Sequence, residues 1–302
     1  LEEIINKNKF DNVFIGLTSY SDTQENFLCE LCKARRIPTW TLQDYPQYYG
    51  TFTKKISPNF FLVLDKNSFE AIKIELPSTK VMQILSPKNI LFVLCDELEK
   101  KIIFKENNRN DNKISLASQP FLPGIKFNIF NFLRLLDKTN LKCEVCLHPE
   151  QFNDLNIVKD LEEFKCVSKI NNTYDDNIVS FFTAKYLVTS FSTIAIDLDR
   201  GLGKLNASCE KIFYLFEGDL VKRTFQNMGS TLSNPYKTNN IKSYLYRDIK
   251  SMIKNLYFDC EKESLKRSKI NSYFSTKKLE KNKSILKEQL NSFFDEIHSY
   301  FI

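Results

Sequence analysis

Residues 185–197 read KYLVTSFSTIAID: an apolar, strand-forming run ends in Thr189-Ser190-Phe191-Ser192-Thr193 just as helical spacing begins. Backbone N–H groups in the first turn of a helix lack intrahelical partners and lie at the positive end of its dipole. Joined by the hydroxyls of Ser190, Ser192 and Thr193, such a turn can hold an anion, phosphate above all, without any glycine. Serine and threonine are also ordinary helix caps, so the turn by itself has two readings.

A second candidate is LHPEQ at residues 147–151, where His148, one of 2 histidines in the chain, follows the apolar run of residues 141–147. An imidazole there can donate a hydrogen bond or a positive charge to a phosphate, and Pro149 stiffens the loop that carries it. Alone, it also reads as a loop histidine with no ligand. Both segments end strands, and open parallel sheets bind ligands outside the carboxyl ends of their strands. Convergence on one monophosphate or diphosphate is therefore the better account of the pair.

Three carboxylates complete the candidates. Asp44 ends the predicted strand 38–44 and precedes Tyr45-Pro46, a place for either a general base or a turn residue. Asp22 stands before a predicted helix and reads first as its cap. Glu217, after the predicted strand 211–216, is placed to bind ribose hydroxyls or to serve as a plain loop carboxylate.

These residues need a sheet to position them, and the pattern predicts two. Strands at 13–18, 38–44, 60–65 and 80–86 alternate with helices near 23–35 and from Asn67, the mark of a parallel α/β sheet. A break at Pro87-Lys88-Asn89 precedes a fresh apolar run, ILFVLCD, at residues 90–96, followed by the polar loop KENNRNDNK at 105–113. Further helices are expected near 125–137, 152–164 and up to Ala184, with strands at 141–147, 165–167, 185–190 and 211–216 and helical segments beyond. The expected organisation is a first Rossmann-like domain over 1–88, a second over 89–256, and a basic helical tail over 257–302 that packs back on them.

Composition narrows the chemistry. The 302 residues are 42% hydrophobic, enough for real cores. Only 7 glycines occur, and no glycine-rich phosphate loop of either common pattern is present. No run approaches the roughly 18 apolar residues of a membrane span. The chain begins at Leu1 rather than Met, which leaves room for an earlier segment, a targeting signal included. Eight cysteines, several in apolar runs, fit buried thiols in a reducing cytoplasm. Two C-x-x-C spacings, Cys29 with Cys32 and Cys143 with Cys146, fall in a predicted helix and a predicted strand, where residues three apart in a strand face opposite sides; no metal is expected. The net charge of +6 is uneven, with Lys262, Lys266, Arg267, Lys269, Lys277, Lys278, Lys281, Lys283 and Lys287 crowding the last fifth. That tail suits either a solvated helix face or an anionic membrane surface. Its confinement to one segment argues against nucleic acid.

A histidine-proline pair ending one strand, followed about forty residues later by a Ser/Thr-rich strand-to-helix turn, resembles the bacterial sialyltransferases and polysialyltransferases of GT-B fold over residues 89–220. CDP-glycerol glycerophosphotransferases of teichoic acid synthesis look similar in this region too. The stretches 15–22 and 35–49 resemble the acceptor-side half of capsule and cell-wall transferases. The resemblance implies a two-Rossmann-domain, inverting, metal-independent glycosyltransferase whose CMP-activated donor, a nonulosonate such as sialic acid, is a substrate rather than a cofactor. By the same resemblance His148, Pro149, Ser190, Ser192 and Thr193 hold the donor phosphate. His148 and the turn would offset charge on departing CMP, and Asp44 is a candidate base. The acceptor would be a glycan or a lipid-linked glycan such as a capsule or lipooligosaccharide precursor, with the enzyme cytoplasmic and peripheral at the inner membrane. The family's acidic-acidic-glycine tripeptide is absent from this chain. A CDP-polyol phosphotransferase is the alternative enzyme, and an inactive or anionic-surface-binding α/β protein the alternative of another kind.

Overall fold

The computed structural model describes residues 2–16, 24–43, 52, 54–84, 114–120, 124–190, 192–195, 197–199, 209–215, 217–218, 241–264, 288 and 291. The chain divides into two compact units, the first built chiefly from Leu1–Ser86 and the second beginning at Pro87. Each is α/β with a parallel sheet, as the strand–helix alternation predicts.

In the first unit, β1 (Val13–Ile15), β2 (Thr39–Leu42), β3 (Phe60–Val63) and β4 (Lys80–Gln83) lie side by side in chain order, every pair parallel. Helix α1 (Glu2–Lys7) precedes β1, α2 (Gln24–Ala34) links β1 to β2, and α3 (Lys66–Glu75) links β3 to β4. Asp65 starts α3 sharply: its carboxylate accepts from Ser68 N at 2.9 Å and from the Ser68 hydroxyl at 2.7 Å. Phe61, Val63, Ile72, Leu76 and Val81 form the core beneath that helix, while Ile5, Leu31 and Cys32 form another under α2.

The second unit carries a six-stranded sheet among the described residues. Its strands are β5 (Ile114–Ala117), β6 (Cys143–Cys146), β7 (Val167–Asn171), β8 (Tyr186–Thr189), β9 (Lys211–Leu215) and β10 (Lys242–Tyr246), in the spatial order β10-β9-β8-β5-β6-β7. All five pairings are parallel. Counted within the unit, the order is 3-2-1-4-5-6, that of a doubly wound nucleotide-binding sheet. The chain winds outward from β5 through β6 to β7, then returns to the other side of β5 and winds outward again from β8.

Helices explain why these strands are apolar throughout. Every residue of β5 and of β8 is buried, as expected of strands covered on both faces. Helix α4 (Ile125–Leu136) buries Ile125, Asn128, Ile129, Phe132, Leu133 and Leu136, one stripe at helical spacing. Each apolar side chain so buried stabilises the fold by about 1.5–3 kcal/mol. Helix α5 (Leu155–Glu162) is capped by Asp154 and helix α6 (Tyr174–Thr183) by Thr173. Helix α7 (Ile249–Ser264) runs through residue 256 without a break, burying Met252, Ile253, Leu256 and Cys260. The boundary expected between residues 256 and 257 therefore falls inside one continuous apolar stripe.

Two strands escape the sequence pattern. β5 occupies ISLA, only four residues between a polar stretch of sequence and Ser118-Gln119-Pro120. β10, in a stretch expected to be helical, is a half-exposed edge strand whose Tyr244 and Tyr246 rings stack on Phe213 of β9 at 5.8 Å. The predicted strand 90–96 and all of the lysine-rich tail beyond Ser264, apart from Glu288 and Asn291, lie outside the described residues.

Candidate functional site

The winding of the second sheet reverses between β5 and β8, and the crevice at such a reversal is where open α/β sheets bind ligands. Ala117, the last residue of β5, is in register with Cys146 at the end of β6 and with Thr189 at the end of β8. The two predicted phosphate-facing segments therefore leave the sheet at the same level and edge, one on each side of β5. At a strand spacing of about 4.8 Å, their strand ends stand roughly 10 Å apart.

His148 begins a single 3-10 turn, Pro149–Gln151. Proline suits the first position of such a turn because its missing N–H would have had no partner there. The His148 ring is half-buried, and its Nδ1 accepts from Glu150 N at 3.4 Å. An accepting Nδ1 leaves the neutral ring's proton on Nε2, which makes that nitrogen the donor of the ring. The residue before it is fixed on both sides of its backbone. Leu147 N donates to Asn171 O at 2.9 Å, and Asn177 Nδ2 donates to Leu147 O at 2.8 Å.

Gln151, which sequence reasoning did not single out, organises this edge. It is 3% exposed, and its Oε1 accepts from both His148 N at 2.9 Å and the Ser118 hydroxyl at 2.8 Å. Its Nε2 donates to Gln119 O at 2.8 Å. One buried amide thus ties the loop after β5 to the loop after β6. The signal was present as a capping-box spacing, with glutamine three residues beyond the capping position.

On the other side of β5, Thr189 is fully buried and its hydroxyl accepts from Ser192 N at 3.1 Å. The Ser192 hydroxyl accepts from Ile194 N at 3.3 Å, the action of a helix cap. Two of the N–H groups counted toward an anion cradle thus serve the turn itself. Ser190 is buried at 3% exposure, whereas Ser192 and Thr193 are half-buried. The rim of the turn therefore belongs to Ser192 and Thr193, with Ser190 set deeper. The helix that follows is anchored by Asp199, whose carboxylate accepts from Ile241 N at 2.7 Å beside the start of β10.

Glu217 follows β9 at this same edge, two strands from β5. One carboxylate oxygen, Oε2, accepts from Ile249 N at 3.1 Å, capping the start of α7, and its backbone carbonyl accepts from Asn128 Nδ2. Its second carboxylate oxygen is the part that a ribose could use. Asp44 and Asp22 lie outside the described residues. Next to Asp44 in sequence, Gln43 is buried at the end of β2, donating to the Ser68 hydroxyl at 2.7 Å and accepting from Leu64 N at 2.7 Å.

The paired cysteines belong to the cores. Cys29 and Cys32 are buried on α2, and burial raises the Cys29 thiol to about 12 and also raises that of Cys32. Cys143 and Cys146 are both buried because the second sheet is covered on both faces. Among the described residues no group of three or more histidine, cysteine or acidic side chains is arranged to hold a metal ion. Among them, too, no helix is long and apolar enough to cross a membrane.

No protein-family model matches the chain, and no curated protein matches it. Among solved structures, that of the wall teichoic acid polymerase TagF is similar over 86% of this chain, at 14% sequence identity and a TM-score of 0.45. The chain spans 63% of the length of that structure.

Proposed function

We propose that the protein is a transferase whose second unit holds the phosphates of a cytidine-nucleotide-activated donor at the reversal between β5 and β8. The observation that supports this reading is the shared register of Ala117 with Cys146 and Thr189, by which the segments carrying His148 and the 192–193 turn leave the same edge of the sheet on either side of β5. His148 Nε2–H and the rim hydroxyls of Ser192 and Thr193 would meet phosphate oxygens and take up the negative charge that develops as the nucleotide leaves. Glu217, through its second carboxylate oxygen, is the candidate for the ribose hydroxyls.

The two anion-facing elements stand on opposite sides of β5, which suits a diphosphate with one phosphate toward each. We therefore place a CDP-linked polyol donor first, the transferred group being a polyol phosphate. A CMP-linked sugar such as sialic acid is the second reading, because the hydroxyl-bearing turn alone could serve a single phosphate. In either case the acceptor is a glycan or a lipid-linked polymer, and Asp44, following the buried Gln43, is the candidate base on the acceptor side.

Donor turnover separates these readings. The purified chain is incubated with CDP-glycerol and with CMP-sialic acid, and CMP release is followed for the parent and for His148→Ala. Release from CDP-glycerol, lost in the variant while its thermal unfolding is retained, is the expected result. Release from CMP-sialic acid alone would favour the second reading, and binding of neither CDP nor CMP would overturn both.

A further inference from the structure

The second unit has an open groove of about 440 Å³ where the end of α4 and the residues after it meet α7. That volume lies within the range of small-molecule sites, about 300–1,000 Å³. Leu135 and Ile253 supply apolar lining, and Lys138, Lys250 and Lys254 supply three ammonium groups. Among the described residues, no carboxylate lines it.

The acids nearest in sequence accept hydrogen bonds from other donors, and the Lys250 charge adds a smaller lowering of the Asp248 carboxyl. The Asp137 carboxylate accepts from Cys166 N at 2.6 Å. Asp248 accepts from Lys250 N, Ser251 N and the Ser251 hydroxyl at the start of α7. Glu261 accepts the Tyr257 hydroxyl at 2.5 Å. Lys138, Lys250 and Lys254 form no ion pair with any of the described residues. Like charges gathered around a concave apolar surface disfavour one another unless an anion joins them, and lysine meets phosphate as a compact point charge.

We infer that this groove binds an organic phosphate ester, its phosphate oxygens among Lys138, Lys250 and Lys254 and its carbon chain along Leu135 and Ile253. A soluble polyol-phosphate chain and a phospholipid headgroup share that chemistry. None of His148, Ser192, Thr193 or Glu217 lines the groove, so the two sites can fail separately.

The test is calorimetric titration of the full chain with a synthetic glycerol-phosphate hexamer, joined by co-sedimentation with phosphatidylglycerol and phosphatidylcholine vesicles. Three variants are compared: the triple change K138A/K250A/K254A, the charge-keeping K138R/K250R/K254R, and His148→Ala. Hexamer affinity is expected to fall roughly tenfold in the alanine triple, each exposed pair contributing modestly. It should stay within about twofold in the arginine triple and in His148→Ala, on the same scale. CDP binding should change only with His148→Ala. If phosphatidylglycerol vesicles bind and the hexamer does not, with the same loss in the alanine triple, the site stands with a lipid headgroup as its source. Equal binding by parent and alanine triple, or no binding of either probe, overturns the inference.

Discussion

Replacing Gln151 with leucine keeps most of the side chain's bulk and removes both ends of its amide. Three hydrogen bonds of 2.8–2.9 Å are lost, to His148 N, the Ser118 hydroxyl and Gln119 O. At about 1 kcal/mol net for each bond, the loss is about 3 kcal/mol. For a unit of this size each kcal/mol moves the midpoint by about 2–4 °C, so the melting temperature should fall by roughly 6–12 °C. The loops carrying Gln119 and His148 also lose their tether, so CDP affinity should fall even well below the new melting temperature. Glutamate at the same position sharpens the test. Its carboxylate still accepts from His148 N and Ser118, but when ionised it sets an oxygen against Gln119 O. Burial and that contact raise the pKa of the introduced acid above its unfolded value, so its stabilising form is the protonated one, able to donate to Gln119 O. Gln151→Glu should therefore approach the parent's stability at acid pH and lose ground as pH rises through the folded pKa. Calorimetry across pH and CDP titration on the same samples measure both effects. A leucine variant that melts within about 2 °C of the parent and binds CDP equally well would refute the clamp.

On the opposite side of the crevice, Thr189→Val preserves shape but takes the acceptor from Ser192 N; about 1 kcal/mol of stability should go, with a several-fold weaker CDP affinity by titration. Unchanged affinity would show that the rim hydroxyls hold their place without Thr189. At the start of α7, hydrogen bonds from the Ser251 hydroxyl and backbone hold the Asp248 carboxyl below its ordinary value of 3.8. Its contribution is thus complete above that unfolded value and disappears as pH falls through the lower folded one. The difference in unfolding midpoint between parent and Asp248→Ala should be constant from about pH 5 upward and should shrink as pH is taken below 3.8. A difference that grows in acid would contradict the capping role. Burial raises the Cys29 and Cys260 thiols to about 12, leaving about one thiolate in ten thousand at pH 8. Both should resist iodoacetamide in the folded protein and react on unfolding, as read by mass spectrometry; rapid native labelling of either would refute their burial.

What the sequence reveals of this site follows from where each signal originates. Strands β6, β8 and β9 are read correctly because they are apolar runs long enough to stand out from their flanks. His148 and the Ser192-Thr193 turn stand out because polar groups directly after such runs mark a sheet's carboxyl edge. Gln151 was overlooked because its role is tertiary. Its partners Ser118 and Gln119 follow a strand more than thirty positions earlier, and nothing local to LHPEQ points to them. The role of Glu217 is likewise settled by a helix that starts at Ile249, well beyond the local pattern.

The hidden strand β5 has the largest consequence. Its four residues, Ile114, Ser115, Leu116 and Ala117, are all buried, yet they include a serine and an alanine and carry too little apolar contrast to announce a strand. Ser115 is tolerated at the centre of the sheet because its hydroxyl bonds to Ser180 of α6 at 2.8 Å, and Ser180 in turn donates to Glu144 of β6 at 2.6 Å. A polar residue that would cost stability if left alone is satisfied by elements that arrive 29 and 65 positions later. Both β6 and β8 pair with β5, and neither pairs with the other. With β5 between them the winding changes direction there, and the segments carrying His148 and Ser192 leave the same edge of the sheet on either side of it. The shared edge at which the two motifs leave the sheet thus has its physical cause in a strand that neither motif contains.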